Sequence, residues 1–228
     1  MEPARANIPE MFDRIARRYD LVNRILSLGQ DRAWRKTAVA ALVGKGTIRV
    51  LDVAAGTGDL SLACLRANSS AQVVVTDPSP EMLELARRKL PTGTELLRAE
   101  AEHLPFPDGS FDAVMIGYGI RNVWSVERAL AEMKRVLKSG GTLIVLEFSL
   151  PGNPLMRAGC LFYLRHVLPW IGWALTGDRA AYTYLNKTIE TFPYGDAFCQ
   201  KLTAAGCTAC TAQPMFFGVT TAYRATAP

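Results

Sequence analysis

The sequence predicts an α/β protein: one mostly parallel, seven-stranded sheet with helices on both faces and a helical cap at its N-terminus. Three observations predict it. Short apolar runs alternate with helical stretches from residue 48 onward, the first run ends in a glycine-rich loop, and two closing strands follow the last helices. With 228 residues, 49% hydrophobic and 21% charged, the chain suits a single globular domain over 1–228 and excludes fibrous and disordered classes. Its parts divide as a helical cap (1–45), a core carrying the glycine-rich loop (46–150), a helical cover (151–205) and the closing strands (206–228).

The cap reads as helices near 9–28 and 31–43. Phe12, Ile15, Tyr19, Val22 and Leu26 recur at helical spacing, and Tyr19 and Asn23, one turn apart, bring polar ends to that side, where they can line the mouth of a ligand site. A core tyrosine with a satisfied hydroxyl is the alternative for Tyr19, and Trp34 reads as packing. IRVLDVA (48–54) is a continuous apolar run, as expected of a strand buried on both faces. QVVVTD (72–77), TELLR (94–98), DAVMIG (112–117) and TLIVLEF (142–148) repeat that signal, separated by helical stretches 59–67, 79–90 and 125–138. Helices are predicted over 153–175, bent near Pro169, and over 182–205; CTACTAQPMFFGVTTAYRA then forms a hairpin at the sheet edge.

The formal charge is +5, and its location matters more than its size. Up to Arg49 ten basic residues stand against five acidic ones, so the whole excess sits on the N-terminal segment, either as a solvated helix face or as a surface for phosphates or anionic lipid. Five scattered cysteines and an N-terminus without an apolar leader fit a reducing cytoplasm. The lone Cys207-x-x-Cys210 lacks the partners of a zinc site, so no metal is expected. Residues 155–175 are the most apolar part, but Arg157, Arg165 and His166 interrupt them, leaving no run of about 18 uncharged residues to span a bilayer. An amphipathic or core helix is expected there, one suited to lie at a membrane surface.

The segment Asp52-Val-Ala-Ala-Gly56-Thr57-Gly58-Asp59 lies between a buried strand and a helix, where glycines let the backbone turn sharply and approach a ligand. It departs from G-x-G-x-x-G, and a carboxylate in the first helical turn would repel a pyrophosphate, which disfavours a dinucleotide. A cationic cofactor suits Asp52 and Asp59. S-adenosyl-L-methionine meets that requirement through its amino group and sulfonium, with Thr57 adding a hydroxyl, Asp77 at the end of the second strand accepting ribose hydroxyls, and Glu100-Ala101 reading the adenine edge. A turn or N-cap role before Pro78 is the competing reading for Asp77.

The spacing D-x-A-x-G-x-G-D resembles the first motif of class I (Rossmann-like) methyltransferases. The segments FDRIARRYDLVNRILSLGQDRAWR, LDVAAGTGDLS, AEAEHLPFPDGSFDAVMIGYGIRNV, RVLKSGGTLIVLEFSLP and AYTYLNKTIETFP resemble the ubiquinone/menaquinone biosynthesis C-methyltransferase family (UbiE/MenG), in order, from about residue 10 to 225. The resemblance implies methyl transfer from S-adenosyl-L-methionine to a ring carbon of a prenylated hydroquinone. It also implies cofactor contacts at Thr57, Asp77, Glu100, Ala101 and Gly117 above the Gly56/Gly58 loop. Glu100 stands where Asn or Asp is usual in the family, and Gly117 where a serine often stands.

A hydroquinone carbon becomes nucleophilic when a neighbouring hydroxyl loses its proton, so the site needs a group that stabilises a phenolate. Arg121-Asn122, at the carboxyl edge of the sheet, is the expected pair, with Tyr19 beside it. Arg121 is a poor direct base, so the proton is expected to leave through an ordered water. Neither His103 nor His166 is an obvious base. Asn23, Phe162 and Tyr163 are expected to bind the acceptor, and Leu168, Trp170 and Trp173 to add to a groove for its tail. Contact with a membrane surface and a homodimer both stay open, and no nucleic-acid partner is expected, because GYGIRN stands where an N-P-P-Y tetrapeptide would follow the fourth strand. Two other classes compete: a methyltransferase of another small aromatic or lipid acceptor, and a non-catalytic cofactor-binding subunit.

Overall fold

In the computed structural model, which describes residues 8–228, the chain forms nine helices and a seven-stranded sheet among those residues. The cap is α1 (Ile8–Leu26) and α2 (Asp31–Ala38), the latter running into a 3-10 turn over Val39–Leu42. The side chains of Phe12 and Ile15 in the expected stripe lie outside the described ones, whereas Val22 is buried and Leu26 packs beside it.

The core then alternates as β1 (Arg49–Val53), α3 (Asp59–Ala67), β2 (Gln72–Asp77), α4 (Pro80–Lys89), β3 (Glu95–Arg98), β4 (Phe111–Gly117), α5 (Val126–Arg135) and β5 (Leu137–Phe148). The cover is α6 (Pro154–Phe162), α7 (Leu168–Thr176), α8 (Arg179–Thr191) and α9 (Asp196–Ala204), and β6 (Thr208–Met215) and β7 (Thr220–Thr226) close the chain. The strand order is β3-β2-β1-β4-β5-β7-β6. β1 to β5 pair in parallel, and β7 inserts antiparallel between β5 and β6.

Because successive strand residues point to opposite faces, the apolar runs fill two cores at once. Val50, Val75, Met115 and Ile144 meet α3 and α4 on one face, while Leu51, Val74, Val114 and Leu143 meet α5 and α9 on the other. A third apolar cluster, from α1, the cover and Leu150, roofs the carboxyl end of the sheet. Chain order reverses between β1 and β4, so the loops after these strands face a common crevice at that end.

Three boundaries differ from expectation. The helix expected over 182–205 is two, α8 and α9, because Pro193 holds Phe192 extended (φ −71°, ψ 136°) and Gly195 turns the chain at φ +60°. The helix expected over 153–175 is interrupted by a wide π turn over Tyr163–Val167, closed by the Leu168 N–H on the Tyr163 carbonyl, and Pro169, which has no N–H to give, sits in the first turn of the helix that follows. The helix expected over 125–138 stops at Arg135, and β5 starts at Leu137 with a register shift opposite Phe111 and Ala113.

Candidate active site

The loop after β1 turns on three left-handed residues, Ala54 (φ +49°), Gly56 (φ +57°) and Gly58 (φ +81°). At Gly58 only glycine fits: a Cβ would lie 3.1 Å from Leu90 Cδ1 on a backbone that side chains rarely tolerate. Gly58 thus caps α3 and leaves the loop backbone facing the crevice.

Asp52 sits beneath this loop, fully buried. Its Oδ2 accepts a 2.6 Å hydrogen bond from Ser61, and its Oδ1 has no hydrogen-bond partner among the described residues. Burial pushes its carboxyl up to about 7. Asp77, at the end of β2, accepts from the backbone N–H groups of Gly56 (2.7 Å) and Ser79 (2.9 Å), and burial raises it to about 6. Its side chain therefore ties the loop after β1 to the loop after β2, and the turn role weighed for Asp77 is one it performs.

Asp52, Gly56, Thr57, Asp77, Glu100, Ala101 and Gly117 line one cavity. Gly58, the remaining expected cofactor residue, stands behind the lining and acts through its turn. At Gly117 an added Cβ would meet Leu60 Cδ2 at 3.1 Å, so its packing favours glycine.

Two partners of the loop went unread in the sequence. The Thr57 hydroxyl donates to Asp20 Oδ1 (2.6 Å) on α1 and accepts from Lys89 Nζ (2.8 Å), which also reaches Asp20 (2.6 Å) and Asp59 (2.7 Å). Asp59, expected to face a cationic cofactor, is thus paired within the protein: burial works against its charge, but Lys89 and Arg35 overcome this and hold the carboxyl below its ordinary range. The Ser79 hydroxyl donates to Asp13, adding a second polar tie between α1 and the loops.

A second cavity, of about 350 Å³, lies between α1, α2, the cover and the loop after β4. Tyr19, Arg35, Tyr118 and Asn122 line both cavities and form the wall between them. The Tyr19 hydroxyl bonds with Asn23; burial raises its pKa, and nearby Arg121 pulls it back. Asn122 accepts from Tyr184 (3.3 Å) and offers Nδ2 to the Tyr118 carbonyl (3.4 Å).

Arg121 lines the second cavity, where the sequence puts it, yet one of its nitrogens is engaged: Nη1 donates to the Tyr118 carbonyl and to Glu147 Oε1, both at 2.6 Å. The guanidinium also stacks over the Phe148 ring at 5.2 Å. Glu147 escaped the sequence reading, although a carboxylate inside the apolar run TLIVLEF was a visible signal, since a buried charge requires a partner.

Asn23 and Tyr163 line the second cavity, and the Tyr163 hydroxyl donates to the Leu26 carbonyl at 3.2 Å. Phe162 does not line it. Its ring is 62% exposed on the outer side of α6 and lies 5.1 Å from His166, because the wide turn carries Tyr163, Leu164 and Leu168 inward and leaves Phe162 outside. Trp170 and Trp173, expected in the same groove, also face outward as an edge-to-face pair, 57% and 49% exposed. Trp34, read as packing, is buried and also lines the cavity.

The chain matches the model of the ubiE/COQ5 methyltransferase family over residues 1–227. It belongs to that family. A demethylmenaquinone methyltransferase of Thermus thermophilus is 46% identical over 199 residues, spanning 86% of this chain and 90% of that one. The ubiquinone/menaquinone biosynthesis C-methyltransferase UbiE of Syntrophotalea carbinolica is 48% identical over 199 residues, spanning 86% and 84%. Among solved structures, a SAM-dependent methyltransferase from Thermotoga maritima superposes with a TM-score of 0.68 at 23% identity, over 96% of this chain and 99% of that one, which shows the same fold. As in the family, S-adenosyl-L-methionine is the methyl donor.

Proposed function

We propose that the protein transfers a methyl group from S-adenosyl-L-methionine to a ring carbon of a prenylated hydroquinone, of the demethylmenaquinol kind that its relatives' names specify, in respiratory quinone biosynthesis. The observation that carries this reading is the pairing of a carboxylate-lined cavity with a larger apolar one across a wall of four side chains.

The smaller cavity suits the donor. Asp52 Oδ1, buried and unpartnered, matches a cationic amino group, and Asp77 keeps lone pairs for ribose hydroxyls beyond its two backbone bonds. Glu100 and Ala101 border the adenine end. When bound, S-adenosyl-L-methionine supplies an electrophilic methyl group, already activated by its sulfonium.

The chain's own work is then orientation, exclusion of water and control of one proton. Asn122 and Tyr19 orient the acceptor ring at the shared wall, and Arg121 faces the oxygen whose negative charge must grow before the neighbouring carbon can attack. Asn23 and Tyr163 hold the ring's outer edge. Because the nucleophile is a hydroquinone carbon, the reduced ring is the substrate and the oxidised quinone is not.

Leu28, Phe216 and Phe217 both line the second cavity and are exposed, which supports a tail that leaves past them. No helix among the described residues is long and apolar enough to cross a membrane. The exposed apolar side chains Leu155 and Phe162 on α6 and the Trp170–Trp173 pair on α7 support docking at a membrane surface, with the tail still in lipid and the protein on the cytoplasmic side. Product mass spectrometry tests the function: purified protein, donor and chemically reduced demethylmenaquinol or its demethylated benzoquinol counterpart, in separate anaerobic reactions. A gain of one methyl group on either acceptor is the expected result and names the ring; no gain on both, with donor still bound, contradicts the proposal.

A further inference from the structure

We infer that Glu147 holds the proton that leaves the acceptor's hydroxyl, with Arg121 standing between it and the substrate. This rests on the hydroquinone reading above and adds the proton's destination.

Glu147 is 1% exposed at the end of β5 and its two oxygens differ. Oε1 accepts from Arg121 Nη1 (2.6 Å) and from the Phe148 N–H (2.8 Å), whereas Oε2 is buried with no hydrogen-bond partner among the described residues. The Arg121 Nε is unpartnered as well. The other titratable groups whose charge is coupled to Glu147 are Tyr118, on the loop after β4, and Tyr223, on β7. Burial raises both phenols, Tyr223 to about 12, so neither supplies a charge at neutral pH.

In the donor-free protein Arg121 and Glu147 already cancel, and Arg35 on the shared wall is paired with Asp31 and Asp59, so before the donor's sulfonium is present a phenolate formed in the apolar cavity would be an uncompensated negative charge. Arg121 cannot take the proton, since guanidinium is fully charged already. If Glu147 takes it, the guanidinium is released from its partner and pairs with the phenolate, and the site stays neutral. Burial favours this, raising the Glu147 carboxyl above its ordinary range despite Arg121.

The step balances. The hydroxyl O–H bond breaks with its electron pair left on oxygen, the proton crosses past Arg121 through a water, and an Oε2–H bond forms. Once the ring carbon has gained its methyl group it loses its own hydrogen as a proton to solvent, aromaticity returns, and Glu147 gives its proton back to the oxygen. One proton is released per turnover.

Glu147→Gln keeps an Oε1 acceptor for Arg121 and removes only the proton site. Without donor, a short-tailed hydroquinone is titrated into each protein by calorimetry in two buffers of different ionisation enthalpy, with phenolate absorption followed in parallel. Wild type is expected to show phenolate with no net proton release; the variant is expected to bind the neutral phenol, or to release a proton to buffer. In turnover the variant is expected to lose about 10²-fold in kcat with KM little changed, and the deficit is expected to shrink on a halogenated hydroquinone with a more acidic hydroxyl. Wild-type proton balance in the variant, or an equal deficit on every acceptor, would overturn the inference and leave Glu147 as a mere positioner of Arg121. If Glu147→Gln does not fold, Glu147→Asp serves: a retained carboxyl is expected to keep the wild-type proton balance whatever its rate, and loss of that balance would overturn the inference. Failure of wild type to methylate any hydroquinone would instead overturn the reading on which it rests.

Discussion

The two cavities that meet at Tyr19, Arg35, Tyr118 and Asn122 are built in different ways. The cavity proposed for the donor draws most of its lining from the ends of consecutive parallel strands, so local chain geometry places it: a left-handed glycine turn after β1, Asp77 at the end of β2, Glu100-Ala101 after β3. The acceptor cavity is assembled from α1, α2, the loop after β4, the cover and the β6–β7 connection, elements that only tertiary packing brings together. The difference teaches that the donor site is a property of the sheet and the acceptor site a property of the roof, and that the two can be damaged separately.

The largest separation is expected at Arg121, which lines the second cavity and not the first. Arg121→Ala is expected to lower turnover by about 10²-fold or more while the donor's Kd stays within about threefold, read by single-turnover kinetics and calorimetry. Part of the variant's thermal stability goes too, because a buried pair that loses one partner costs about 3–5 kcal/mol. Loss of donor binding in this variant would break the comparison.

The donor cavity should respond to pH on its own. Burial raises Asp52 and Asp77 to about 7 and about 6, and the proposed site has both meet the donor as carboxylates, so affinity is expected to weaken about tenfold per pH unit per proton as pH falls below these values. Because their folded pKa values are raised, their contribution to stability of the donor-free protein is fully present below the unfolded carboxylate value and is lost as pH rises through about 6 to 7. The thermal upshift given by donor should therefore be larger at pH 8 than at pH 5.5, and Asp52→Asn should flatten it; an upshift independent of pH would show that these carboxyls do not face the donor.

The roof is expected to fail by itself in Gly172→Ala. A Cβ there would run into the Tyr182 ring, so α7 and α8 must part, at a cost of about 1–3 kcal/mol from overpacking. Acceptor KM should rise several-fold with donor Kd unchanged, which steady-state kinetics and calorimetry will show. The smallest effect is expected from Trp170→Ser with Trp173→Ser: both side chains are exposed, so stability and turnover of a short-tailed hydroquinone should hold, while co-sedimentation with anionic phosphatidylglycerol vesicles and use of a long-tailed acceptor in them should fall.

These regions were unequally legible in the sequence, and for the same reason. The alternation of strands and helices, the glycine turn and the carboxylates after the strands follow from short-range pattern, since buried parallel strands and the loops at their ends are written contiguously, whereas the strand order comes only from the folded sheet. Arg121 and Asn122, expected from their motif, Tyr19 and Asn23, from helical spacing, and Tyr163, from the apolar segment 155–175, all line the second cavity. Phe162 does not, because a five-residue wide turn rotates the helix after it, and no periodicity reveals an added residue in a turn. Glu147, Lys89 and Asp20 lie far from their partners in sequence, so their pairings become visible only once the sheet and cap are folded.

The most direct test of the account follows the methyl group itself. Donor carrying a trideuteromethyl group is incubated anaerobically with reduced acceptor, and in parallel with the oxidised quinone, and the position of the label in the product is read by NMR. Label on a ring carbon, from the reduced acceptor alone, is the predicted result. Label on an oxygen, or equal labelling from the oxidised ring, would contradict a site built to draw a proton from a hydroquinone and let its carbon attack.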